Sequence, residues 1–124
     1  MAMIEIRDKD DVVVVSFATV KILDQLAIDQ IREEFKGLTL QAASGRKLLL
    51  DFSRVQFMSS SMIGQIMQLY KQCKKDKVKL RLCNISPEIK EVFKITGLTK
   101  LLDIHDDAAD ALAAFGPPRR GWYR

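Results

Sequence analysis

The chain has 124 residues, 48% of them apolar and 29% charged, with a net charge of +4. One domain of this size buries about two-thirds of its unfolded surface and needs no disulfide or metal staple, and its composition excludes collagen-like, coiled-coil and wholly disordered chains. No apolar run approaches the roughly 18 residues of a membrane span and no secretory signal pattern is present, so an intracellular, cytoplasmic protein with no membrane partner is expected.

In chain order, residues 3–7 and 12–17 are β-prone runs separated by Asp8, Lys9, Asp10 and Asp11, which suits a hairpin. Ala27, Ile28, Ile31, Phe35 and Leu38 then recur at helical spacing. Asp24 is placed to cap that helix, and Gly37 or Gly45 to end it. Residues 47–52 form a short continuous apolar run, read as a strand buried on both faces. A serine-rich bend leads into a second helical pattern at Ile63, Ile66, Met67, Tyr70 and Cys73. Residues 78–83 alternate as a strand. Ser86 and Pro87 mark a helix start, with Ile89, Val92 and Phe93 as the inner face and Gly97 as the stop. Residues 101–104 read as a last short strand and 106–115 as an alanine-rich helix, stopped by Gly116, Pro117 and Pro118.

The order predicts an α/β fold: an opening antiparallel hairpin, then mostly parallel strands, covered by about four helices. The domain is expected over 1–116, with a flexible basic tail over 117–124. Arg119, Arg120 and Arg124 lie in that tail, so the positive charge is largely a property of the tail and direct nucleic-acid binding is not expected. A second basic run, Lys71, Lys74, Lys75, Lys77, Lys79 and Arg81, is read as a solvated helix end and strand edge, or else as a docking patch for an acidic partner.

The candidates for chemistry are few. Cys73, Cys83 and His105 fall short of the four ligands of a structural zinc site, and no metal or cofactor is expected. The cysteines read as buried, reduced thiols. There is no GxSxG elbow and no Gly-rich phosphate loop; a hydrolytic triad would have to use His105, beside Asp103, Asp106 and Asp107. Asp51 ends a strand without an acidic neighbour in sequence. No catalytic residue is therefore assigned. The unusual stretch is Phe57-Met58-Ser59-Ser60-Ser61-Met62-Ile63-Gly64, at a strand-to-helix handover. Serines there cap free backbone N–H groups, or offer a phosphate site at the positive end of a helix.

Three segments taken together resemble the STAS domain, above all its stand-alone anti-sigma factor antagonists. They are the run from Leu48 to Met58, the run Ser59-Ser60-Ser61-Met62-Ile63-Gly64, and the run from Cys83 through Ser86, Pro87, Val92 and Phe93 to Gly97 and Leu98. The second is similar to the family's Asp-Ser-Ser/Thr-Gly-Leu-Gly, with Ser59 in place of the aspartate and Met62 in place of the first glycine. Thr19 to Asp24 partly matches the family's Gly-Glu/Lys-Leu-Asp. The resemblance implies a non-enzymatic protein that binds an anti-sigma factor and so releases a sigma factor. It implies phosphorylation by an ATP-using anti-sigma serine kinase at Ser60, with Ser59 and Ser61 as rivals. It also implies a partner surface of Asp24, Ser59, Ser60, Ser61 and Met62, with Ser60 exposed. Ser61 is expected to be the helix cap. The alternative is a STAS scaffold without phosphorylation, or a ligand-binding interaction module.

Overall fold

The computed structural model describes residues 2–42 and 46–116. The expected end signal at Gly45 and the tail at 117–124 lie outside the described residues. Strands β1 (Ile4–Lys9) and β2 (Val12–Phe17) form the hairpin, turning at Asp10, which takes a left-handed φ of 57°. Together with β4 (Lys47–Asp51), β6 (Lys79–Cys83) and β7 (Asp103–His105) they make a five-stranded sheet in the order β1-β2-β4-β6-β7. The β1–β2 pair is antiparallel and the other pairs are parallel, as the alternating order of elements predicts.

Alternation along the strands divides two apolar layers. Val13, Val15, Phe17, Leu48, Leu50, Leu80 and Leu82 face the larger one. It is closed by α1 (Gln25–Phe35), α3 (Ser60–Lys75) and α4 (Pro87–Ile95) through Ile28, Ile31, Met62, Ile66, Ile89 and Phe93. Val12, Val14, Leu49 and Cys83 face the other way, against Ala111 of α5 (Ala108–Phe115). Leu48, Leu49 and Leu50 are all fully buried, so the apolar run without alternation is a central strand covered on both sides.

Four departures from the sequence pattern have local causes. Residue 38 does not continue α1: the chain turns at Gly37, with φ 86°, and a one-turn helix α2 (Leu38–Gln41) delivers Leu38 to the core. A second sheet appears, made of the two-residue strands β3 (Lys21–Ile22) and β5 (Phe57–Met58), parallel and in register Lys21 to Phe57 and Ile22 to Met58. The last strand begins at Asp103 rather than 101, because Gly97 starts a 3-10 turn over Leu98–Lys100. Val92, expected on the inner face of α4, is exposed. No helix among the described residues is long and apolar enough to cross a membrane.

Candidate functional site

The small β3–β5 sheet sets the site. Its strands run side by side into the N-termini of α1 and α3, so the Asp24 and Ser59 helix starts leave the same edge. The peptide N–H groups of Gln56 and Phe57 donate to the Val20 carbonyl at 2.8 and 3.2 Å, and that of Ser59 donates to Ile22 at 2.9 Å. The serine bend is thereby stitched to the entry of α1.

Each serine has a different environment. Ser59 is half-buried in extended backbone and caps α3: its Oγ accepts from the Met62 N–H at 3.3 Å. The cap is therefore Ser59, and the expectation for Ser61 is corrected. Capping falls to the first residue with non-helical backbone, whereas Ser61 already lies inside the helix. Ser60 and Ser61 are exposed in the first turn, and neither hydroxyl has a hydrogen-bond partner among the described residues. Met62 was expected on the partner-facing surface. It is fully buried, because positions 62, 66, 69 and 73 form the helix stripe that meets the sheet. Asp24 is exposed and caps α1, its carboxylate accepting from the Ala27 N–H at 2.8 Å.

The N-terminus of α3 favours an anion at Ser60, whereas that of α1 already carries the Asp24 carboxylate as its cap. The elements that meet at this edge also carry exposed apolar side chains. Val20, Leu23, Leu26, Phe57 and Val92 are exposed, Leu26 to 83% and Phe57 to 50%. The Lys21 ammonium stands 5.7 Å from the centre of the Phe57 ring. An exposed apolar group of this kind marks a protein-interaction face. Sequence reasoning singled out none of these five for that face, since a scattered apolar residue in a sequence reads as core.

The remaining candidates have structural partners. Asp51 accepts from the Ser53 N–H and the Asn84 side-chain amide, each at 3.0 Å, tying the loops after β4 and β6 together. His105 Nε2 lies 3.0 Å from Arg81 Nη1, and the Arg81 guanidinium stacks 5.1 Å from the Phe115 ring of α5. Burial, then the nearby charge of Asp76, pushes the Cys73 thiol up to about 12; burial, Asp51 and Asp107 do the same for Cys83. Both are closed, unreactive thiols. Among the described residues no group of three or more His, Cys, Asp or Glu side chains is arranged to hold a metal ion. A groove of about 500 Å³ runs between the end of α1, α2 and α3, with Arg32, Lys36, Gln65, Gln68, Leu40 and Leu69 among its walls.

The STAS domain profile matches residues 3–111. BtrV of Bordetella bronchiseptica, which bears the name of an anti-sigma factor antagonist, is 30% identical over 70 residues; the match spans 56% of this chain and 60% of that protein's length. The structure of an anti-sigma-factor antagonist (STAS) domain protein from Planctomyces limnophilus superposes with a TM-score of 0.81 at 29% identity, covering 94% of this chain and 99% of the other. The Bacillus cell fate determinant SpoIIAA in its phosphorylated form shares the fold, with a TM-score of 0.66 at 22% identity over 90% of this chain and 97% of that one.

Proposed function

The chain belongs to the STAS domain family, and from that premise we propose that it is a cytoplasmic anti-sigma factor antagonist that acts by binding, switched by phosphorylation of Ser60. In its unmodified form it docks the Ser60 face on an anti-sigma factor and so frees a sigma factor. The names of its relatives support the antagonist role. The observation that carries the switch is the contrast between the serines: Ser59 is committed to capping α3, whereas Ser60 is exposed with a free hydroxyl.

In the proposed reaction Ser60 Oγ attacks the γ-phosphorus of ATP bound to the kinase. The new O–P bond forms, the bond to ADP breaks, and the hydroxyl proton passes to a base on the kinase. The product carries about two negative charges on a surface whose exposed neighbours include Leu23, Leu26 and Phe57. Docking would then bury a dianion against apolar side chains, which is strongly unfavourable. The helix dipole favours the phosphate in the free protein, so modification ends docking without unfolding the domain. Intact mass and phosphosite mapping after incubation with the cognate kinase and ATP test the reading: one phosphate on Ser60 is expected, and no uptake overturns it.

The groove between α1 and α3 favours a second reading, a ligand-binding STAS module without phosphorylation. Its volume falls within the roughly 300–1,000 Å³ usual for small-molecule sites. Absence of phosphate uptake together with small-molecule stabilisation of the domain would favour it.

A further inference from the structure

Beside the serine bend, β5, α3 and α4 enclose a cleft of about 140 Å³ lined by Gln56, Phe57, Met58, Ile63, Glu88, Ile89 and Val92. Its walls are largely apolar, and it adjoins Ser59 directly through Met58. Its volume is well below the roughly 300–1,000 Å³ of a small-molecule pocket and equals the space of about five waters at roughly 30 Å³ each. That is room for one long side chain. The cleft also has a single formal charge on its wall. Glu88 is exposed in the first turn of α4, and its carboxylate has neither an ion pair nor a hydrogen bond to any described residue.

We infer that this cleft receives one basic side chain, an arginine or lysine, from the protein partner that docks on the Ser60 face. The methylene stem lies along Met58, Ile63, Ile89 and Val92, and the cationic head reaches Glu88. Long basic side chains bury their stems on apolar surface while keeping the head in water, and an arginine can set its planar fork against a carboxylate. Charge complementarity distinguishes this occupant from a purely apolar one: a leucine or phenylalanine would fill the cleft but leave Glu88 unpaired at its rim. The inference rests on the proposed docking face and names the chemistry of the partner at that face.

The test uses amide chemical shifts of the full chain titrated with N-acetyl-L-arginine amide and, separately, with N-acetyl-L-leucine amide. The arginine compound should move the signals of Phe57, Met58, Ile63 and residues 88–92. It should bind about two- to fivefold more weakly to Glu88→Gln, the range of a partly exposed ion pair. The leucine compound should bind Glu88→Gln and the wild type equally. Val92→Trp, which fills the cleft from an exposed position, should abolish both responses. Melting temperatures of both variants provide the folding control, since a first-turn carboxylate also suits the helix dipole. No response to the arginine compound, or one that Glu88→Gln leaves unchanged, overturns the inference. Phosphate uptake at Ser60 is read separately, so failure here leaves the docking-face reading standing, and failure of phosphorylation leaves the cleft measurement intact.

Discussion

The backbone N–H of Ser59 donates to the carbonyl of Ile22 at 2.9 Å, joining the start of α3 to the last residue of β3 across 37 positions of sequence. The Ser59 side chain turns inward along its own helix and accepts from the Met62 N–H. One residue thus fixes both where α3 begins and how far it stands from α1, leaving Ser60 as the first exposed hydroxyl.

Ser59→Ala should therefore cost about 0.5–2 kcal/mol, the usual loss for a helix cap. Ser59→Asp, which installs a charged cap, should be at least as stable as the wild type. Urea unfolding of the two variants checks the pair. Equal stability of Ser59→Ala and wild type would show that the cap carries no weight.

Leu49 is fully buried at the centre of β4, between β2 and β6, and packs toward α5. Leu49→Ala should cost about 2–5 kcal/mol. Truncation on this face removes one of the apolar residues, with Val12, Val14 and Cys83, on which α5 rests, so protection of α5 amides from hydrogen exchange should fall most.

The central parts of the architecture are legible in the sequence because they repeat. The hairpin charges between two β-runs, the uninterrupted Leu48-Leu49-Leu50 and the Ser86-Pro87 start each correspond to a physical requirement seen in the structure. The β3–β5 sheet is different. Two-residue strands have no period to read, and they form because the chain ends around them are already held by the core. Met62 is a question of phase. The pattern 63, 66, 67, 70 and 73 finds Ile66 and Cys73, which are buried, but its other members, Ile63, Met67 and Tyr70, are half-buried, and it misses Met62 and Leu69, which complete the stripe that meets the sheet. Val92 shows the converse: an apolar residue in a helical stripe that faces a surface cleft.

Gly64 sits inside α3, and a Cβ built there would meet nothing within 4 Å. Gly64→Ala should stabilise the domain by about 0.4–1 kcal/mol, mainly by restricting the unfolded chain. Thermal unfolding measures this directly. A loss of stability would mean that the helix needs glycine's backbone freedom at that position.

The two thiols give a pH dependence with a definite sign. In the unfolded chain a cysteine ionises near pH 8.5, whereas Cys73 and Cys83 in the fold are pushed up to about 12. The native state therefore holds protons that the unfolded state releases. The stability this confers is complete below about pH 8.5 and is lost as pH rises toward 12. Denaturant midpoints should fall across that window, and less so in a variant with both cysteines replaced by alanine. At pH 8 the native protein should resist thiol reagents until it is unfolded.

Ser60 and Ser61 share exposure and free hydroxyls, so the proposed switch depends on which of them a kinase modifies and on whether that phosphate ends docking. Phosphate uptake and anti-sigma factor affinity should be measured together for the wild type, Ser60→Ala and Ser61→Ala, using the cognate kinase and ATP. One phosphate is expected on the wild type and on Ser61→Ala, none on Ser60→Ala, and loss of binding only where Ser60 is phosphorylated; uptake on Ser61 instead, or undiminished binding of the Ser60 phosphoprotein, would contradict a switch at Ser60.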